Sequence, residues 1–360
     1  LLSTSDYHGA RGAHFDGKRF QNMNRQTLPG VSDMISWQLN RDRGPWDEPS
    51  PDSPTGPPPP KRVGPGKIRI TWVDHASVLI QLDGLNILTD PVYTERASPF
   101  SWIGPKRVRP PGLAFKDLPS IDVLLLSHDH YDHLDHHTIQ SLAARGVPFV
   151  VPLGVGAHLE SWGVPEAQIT ELDWWQHTAV RGVTLVATPA RHGSGRSLTD
   201  RDCTQWAGWA ILGPRHRAYF SGDTGYSPTF AEVGRRFGPF DITMMESGAY
   251  DALWADFHMG PEQAVQGHRD LRGKVMLPIH WGTFTLAPHG WTEPAERVRA
   301  EAARLGVTAV IPRPGESIEP ATPPPLVRWW PDNPWQTAAQ APVVSSKAAG
   351  HWVWTRGRAA

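Results

Sequence analysis

Hydrophobic positions along the chain change their period several times, and the changes mark out a domain. From Lys67 to Val73 polar and apolar residues alternate, as on a half-buried strand. Ser77 to Leu82 and Leu85 to Thr89 then flank Asp83-Gly84, a pair suited to the positive φ angles of a two-residue hairpin. Opening with antiparallel strands suits the edge of a sandwich. Short continuous apolar runs follow, and Ile121 to Leu126, Val183 to Thr188, Ala218 to Phe220 and Val275 to Ile279 read as buried strands. Helical periods separate them at His136 to Ala144, Ser227 to Phe237, Pro261 to Leu271 and Glu293 to Leu305. Pro261 suits a first helical turn and Gly306 a C-terminal stop. A last strand is expected at Thr308 to Ile311. Strands interleaved with helices predict an α/β fold.

The flanks differ from this core. Residues 1–66 read as an N-terminal extension, polar and irregular, with one short helix at Val31 to Gln38. Within it, Pro49 to Pro60 holds seven prolines in twelve residues, which removes backbone donors and predicts a semi-rigid surface strap. The domain itself spans 67–318, and a Pro- and Ala-rich tail covers 319–360 with Trp329, Trp330, Trp335, Trp352 and Trp354. Disordered tails lack aromatics. These indoles are therefore expected to strap back over the domain's own apolar surface, with a homodimer contact or a membrane-surface contact as the alternatives. Trp174-Trp175 read as core.

Charge narrows the partners. Lys plus Arg number 35 and Asp plus Glu 36, so no basic field exists to hold a nucleic acid backbone. The single Cys203 excludes an intramolecular disulfide and a cysteine-based zinc site, and it reads as structural. No stretch reaches the roughly 20 apolar residues that span a bilayer. The chain starts at Leu1-Leu2 without an initiating Met, so a removed signal or anchor is expected, favouring the periplasm or a membrane surface over the cytoplasm.

Candidate chemistry gathers where the strands end. Ile121 to Leu126 runs directly into Ser127-His128-Asp129-His130-Tyr131-Asp132-His133-Leu134-Asp135, and a loop can turn His128, His130, Asp132 and His133 toward one small volume. His192 follows the next run, Asp223 follows Phe220 in Ser221-Gly222-Asp223-Thr224-Gly225, and His280 follows Ile279. Taken singly, His192 and His280 also read as structural histidines and Asp223 as a turn residue. Taken with the first loop they make more donors than one ion needs. Two metals are implied.

The spacing His128-Asp129-His130-Tyr131-Asp132-His133 resembles the HxHxDH signature of metallo-β-lactamase-fold hydrolases. That resemblance implies a four-layered αβ/βα sandwich with two Zn²⁺ per chain, other divalent metals being admissible. It also implies the ligand split: His128, His130 and His192 on one ion, Asp132, His133 and His280 on the other, and Asp223 bridging. Leu88-Thr89-Asp90-Pro91, Glu95-Arg96-Ala97-Ser98-Pro99, Gly104-Pro105-Lys106-Arg107, His258-Met259-Gly260-Pro261-Glu262 and His280-Trp281-Gly282-Thr283-Phe284 resemble the N-acylphosphatidylethanolamine-hydrolysing phospholipase D group and its bacterial relatives, from about Phe15 to Glu316. Asp129, Arg191 and Gly193 depart from that group's usual residues.

Two ions about 3.5–4 Å apart would hold a shared water, lower its pKa and neutralise the group attacked. The resemblance therefore implies a phosphodiesterase acting on an amphipathic lipid or small phosphodiester, with Asp132, Asp223 and His258 as catalytic residues. His258 would sit near substrate; its bland reading is a helix-entry histidine before Pro261. Asp90 and His75 are expected to orient ligating imidazoles, though Asp90 also suits a turn before Pro91. The alternative activity is a lactonase or other acyl hydrolase on a sugar-phosphate-like molecule, which would use Arg191, Arg196 and Arg201 near His192.

Overall fold

After a short helix α1 (Val31–Asn40), the chain enters the predicted hairpin, with β1 (Ile68–Asp74), β2 (Ser77–Leu82) and β3 (Leu85–Thr89) antiparallel in turn. Asp83 and Gly84 take φ of 50° and 88°, so the turn carries the twist of its strands. The computed structural model describes residues 7–9, 11–23, 26, 30–40, 44–46 and 57–346. Pro49 to Gly56 of the proline-rich strap, and Trp352 and Trp354, lie outside the described residues.

Beyond the hairpin, β4 (Val123–Leu125), β5 (Phe149–Pro152) and β6 (Ile169–Leu172) add in parallel, joined through α2 (His136–Ala143) and α3 (Val155–Ser161). The second half repeats the plan. β7 (His177–Val180), β8 (Val183–Pro189), β9 (Ala207–Leu212) and β10 (Arg217–Phe220) form an antiparallel meander. β11 (Phe240–Glu246), β12 (Gly273–Ile279) and β13 (Thr308–Ala309) then extend it in parallel through α4 (Thr229–Phe237), α5 (Pro261–Asp270) and α6 (Glu293–Leu305). Finally β14 (Ser317–Ile318) crosses back and pairs with β1. Each sheet has seven strands, ordered 14-1-2-3-4-5-6 and 13-12-11-10-9-8-7.

The period-2 alternation decides which side of the first sheet each residue faces. Ile68, Ile70 and Trp72 of β1 and Val78, Ile80 and Leu82 of β2 share one core with Leu185, Ala187, Trp209 and Ile211 of the opposing sheet. Val73, Leu79, Leu88 and Leu124 point the other way, onto Ile139, Leu142, Val155 and Leu159 of α2 and α3. Helices, sheet, sheet, helices give the four-layered αβ/βα sandwich. Leu79 and Ile80 are both fully buried, so truncating either to Ala costs roughly 2–5 kcal/mol.

Two expectations change. β1 lies one strand in from the edge, because β14 covers it. The last strand is cut to Thr308–Ala309, and Pro312 and Pro314 mark where the chain turns away toward β14. Strands β5, β6, β7 and β9 and helix α3 had no strong pattern to announce them. In the tail, Trp330 is buried and donates from Nε1 to Glu296 at 2.7 Å, while Trp329 donates to the Ile311 carbonyl and packs on Trp281 and Trp291. Trp335 is half-buried. Among the described residues no helix is long and apolar enough to cross a membrane.

Candidate metal centre

All seven predicted donors come from loops at strand ends, and the fold brings them into one place. After β4 the chain turns tightly, with the His133 and Leu134 N–H groups donating to the His130 carbonyl at 3.0 and 2.8 Å. Asp135, at the end of the loop, takes the N-cap of α2 and accepts from the Thr138 hydroxyl and the Tyr93 and Thr94 N–H groups. It faces away from the cluster's work. Loops after β8, β10 and β12 deliver His192, Asp223 and His280.

Two donor sets result. In the first, His130 Nδ1 lies 2.8 Å from His128 Nε2 and 3.2 Å from His192 Nε2. In the second, His133 Nε2 and His280 Nε2 are 3.1 Å apart, and Asp132 Oδ2 lies 3.5 and 3.2 Å from them. Asp223 Oδ2 is 3.1 Å from both nitrogens of the second set and 3.9 Å from His128 Nε2 and His192 Nε2. Donors around a tetrahedral ion at about 2.0–2.1 Å are separated by roughly 3.3 Å, close to these spacings. The Asp223 Oδ1 atom is buried with no hydrogen-bond partner, which suits a carboxylate shared between two cations. The residues fit a metal pair.

Surrounding groups set the tautomers. Asp90 accepts from the Ser127 N–H at 2.7 Å, the Ser127 hydroxyl at 2.5 Å and His133 Nδ1 at 2.7 Å. With its proton given to Asp90, Ser127 Oγ is left to accept from His128 Nδ1 at 2.9 Å. One carboxylate thus turns Nε2 of His128 and of His133 into the two donor sets. His192 Nδ1 meets the Phe257 carbonyl at 3.0 Å. His75, Asp90 and His280 all take positive φ, of 39°, 34° and 66°, a strained conformation for such residues that is held by the packed site.

Electrostatics separates the two sets. Burial pushes His128 and His192 well below the usual histidine range, and lowers His130 too. Burial opposes charge on His280 as well, but Asp223 and Asp132 outweigh it and lift the ring to about 10. His133 is raised well above its usual value against the same burial, by the same carboxylates.

Several readings need correction or addition. His75 bonds a carboxylate rather than an imidazole: its Nε2 meets Asp132 Oδ2 at 2.9 Å, while its ring lies tilted by 38° against that of His280, the centroids 4.1 Å apart. His258 lies in the cluster rather than only at a helix entry, with Nδ1 3.8 Å from Asp223 Oδ2. Glu246, missed in the sequence, ends β11 fully buried and bonds His258 Nδ1. Burial and the neighbouring Asp223 push its carboxyl well above the usual range. It terminates an apolar strand just as the ligands do, and that was the available signal. Asn22, also missed, reaches from the N-terminal extension to bracket the His192 backbone at 3.0 and 2.6 Å. Asp129 ties the ligand loop to its neighbour, accepting from the Gly195 N–H and the Thr204 hydroxyl and meeting His158.

The arginines are engaged in structure. Arg191 pairs with Asp256 at 2.9 Å, Arg196 donates to the Asp129 and Leu134 carbonyls, and Arg201 is exposed. Cys203 is buried.

A two-sheet sandwich with histidine and aspartate donors at its strand ends defines a metal-dependent hydrolase. The chain belongs to the metallo-β-lactamase superfamily: residues 85–281 match the family described as beta-lactamase superfamily domain. An uncharacterized protein of Mycobacterium tuberculosis is 48% identical over 268 residues, covering 73% of this chain and 72% of its own. The N-acyl-phosphatidylethanolamine-hydrolyzing phospholipase D 1 of Caenorhabditis elegans is 38% identical over 235 residues, 62% of this chain and 65% of the worm protein. Among solved structures, a metallo hydrolase of Ignicoccus hospitalis superposes with a TM-score of 0.53 at 21% identity, over 70% of this chain and 98% of that one, which speaks to the fold alone.

Proposed function

We propose that the chain is a binuclear metallohydrolase of phospholipase D type, cleaving a phosphodiester of an N-acyl phosphatidylethanolamine-like lipid. The observation that carries the binuclear part is the pair of donor sets sharing Asp223. His128, His130 and His192 would hold one cation, Asp132, His133 and His280 the other, and the all-nitrogen-and-oxygen donors suit zinc. Bound there, two such cations supply a low-pKa water and neutralise charge on the phosphoryl oxygens. Asp223 keeps the two sites in register, Asp90 holds the imidazoles by their outer nitrogens, and His258 meets the leaving oxygen.

The lipid part is supported by the worm relative and by the surface beside the site. Phe100, Trp102 and Ile103 are 43%, 73% and 52% exposed on one loop, and Leu198 is fully exposed on another. Phe100 and Tyr131 line one cleft with Arg196, and Tyr131 belongs to the ligand loop. Exposed aromatic and aliphatic side chains of this kind seat well in a headgroup layer. In this reading the rim makes the membrane contact, while Trp329 and Trp330 of the tail pack onto the domain. With Arg191 and Arg196 already bonded, the lactonase alternative rests on the exposed Arg201.

The test is a zinc-loaded assay of kcat/KM over a chain-length series of N-acyl phosphodiesters, with a lactone phosphate and a β-lactam as comparators. Each buried CH₂ contributes about 0.8 kcal/mol, so the phosphodiester series should climb with acyl length until the groove is filled. A flat series with faster lactone opening defeats the phospholipase reading, and fewer than two metal ions per chain by elemental analysis defeats the binuclear one.

A further inference from the structure

Glu246 is a carboxyl group that the chemistry above leaves unused, and it is fully buried at the last position of β11. Such a group is costly unless its oxygens are satisfied. Both are: the Thr224 N–H donates to Oε2 and His258 Nδ1 meets Oε1. Thr224 directly follows Asp223, so one carboxyl group ties the bridging loop to the His258 ring. That ring stands over both donor sets, 5.0 Å from the His192 ring and 5.5 Å from the His280 ring, and its side chain is 17% exposed. Its backbone is pinned as well, the His258 N–H donating to the Trp254 carbonyl at 3.2 Å. An imidazole without a partner exchanges tautomers and flips about its χ2 bond; one held by a fixed carboxyl group does neither.

We propose that Glu246 is a positioning residue for hydrolysis, its protonated carboxyl donating to His258 Nδ1 so that Nε2, on the opposite edge of the ring, carries the proton given to the substrate's leaving oxygen while Nδ1 takes up the carboxyl proton. The proposal rests on the role given to His258 above. Its competitor is ligation, since Asp223, Glu246, His258 and His280 offer donor atoms within 4.8 Å of one another. Engagement of both Glu246 oxygens by protein groups favours positioning.

The test is a double-mutant cycle on the zinc-loaded enzyme with Glu246→Ala, His258→Ala and the pair, joined by Glu246→Gln and ¹⁵N spectra of the His258 ring. Glu246→Ala should keep its metal content and KM and lower kcat roughly 10- to 100-fold. Adding it to His258→Ala should cost nothing further, because its effect runs through that ring. Glu246→Gln, which keeps a hydrogen-bonding head, should recover part of the rate. The ¹⁵N shifts should report one His258 tautomer in the native enzyme and a mixture in Glu246→Ala. Loss of a metal ion in Glu246→Ala would make the residue a ligand. Additive losses in the pair, unchanged ¹⁵N shifts, or a fully active His258→Ala would each overturn the proposal. If the native enzyme opens lactones and ignores phosphodiesters, the phospholipase reading fails alone, and the same cycle is run on the lactone.

Discussion

The two donor sets sit side by side and are built from opposite chemistry. His128, His130 and His192 form a neutral set: burial holds all three below the usual histidine range, and the outer nitrogens of His128 and His192 rest on a hydroxyl and a backbone carbonyl. Asp132, His133, His280 and Asp223 form an anionic set, steadied by Asp90 and His75, whose imidazoles are lifted toward the charged state by the carboxylates. In the neutral set a cation replaces nothing. In the anionic set it replaces a proton, so only there do metal and proton compete.

The harshest test of this contrast is Asp223→Ala, which removes a carboxylate from the anionic set and the link between the sets. Lost charge stabilisation of several kcal/mol corresponds to a fall in turnover on the order of a thousandfold. Elemental analysis should show the remaining ion in the neutral set, with His133→Ala and Asp223→Ala losing the same ion. Near-normal turnover in Asp223→Ala would remove the link.

Asp90→Asn should come next, because Asp90 touches both sets, His133 directly and His128 through Ser127. Loss of such an outer partner costs roughly 10- to 100-fold in metal affinity or activity. Competition with a chelator should find both ions weakened. Weakening of one alone would show that Ser127 keeps its place without Asp90.

The pH dependence of the metal-free protein sharpens the contrast further. His280 has a folded pKa of about 10, above the ordinary value of about 6.5 in the unfolded chain, so its contribution is full below about 6.5 and is lost as pH rises toward 10. His128 and His192 are depressed, so theirs is full above about 6.5 and is lost as pH falls. Thermal melting in chelator should therefore peak near neutral pH and fall on both sides. Saturating zinc should flatten the alkaline limb by standing where the His280 proton stood. An alkaline limb that zinc leaves unchanged would sink the argument.

The clustered donors were legible because the loops that carry them follow apolar runs, where a polar side chain has few structural duties. The hairpin, the start of α5 and the end of α6 were legible for similar local reasons: a turn pair, Pro261 in the first helical turn and Gly306 as a stop. What stayed hidden depends on contacts distant in sequence. β14 reaches β1 across 246 residues, from Thr71 Oγ1 to Ser317 Oγ, and no local pattern encodes that. Glu246 could have been found by the same rule, since it ends an apolar strand and Gly248 follows it closely, but its partner lies twelve residues on. The bond from His75 to Asp132 spans 57 residues, and nothing in its own strand encodes it.

The mildest perturbation reaches one set only. Asn22 lies in the N-terminal extension, yet its Oδ1 accepts from the His192 N–H and from Trp206 Nε1, both at 3.0 Å, and its Nδ2 donates to the His192 carbonyl at 2.6 Å. Two of these bonds have deputies: Gln26 also donates to the His192 carbonyl, and Trp206 also donates to Ala190. Asn22→Ala then strands chiefly the His192 N–H, a loss of about 1 kcal/mol, or roughly fivefold in the affinity of the neutral set. His133 and His280 share no hydrogen bond with Asn22, so the anionic set should titrate with zinc as before. A two-step zinc titration reads both affinities at once. Equal weakening of the two steps would mean that the sets respond as one unit, and the contrast between a neutral and an anionic half would have to be given up.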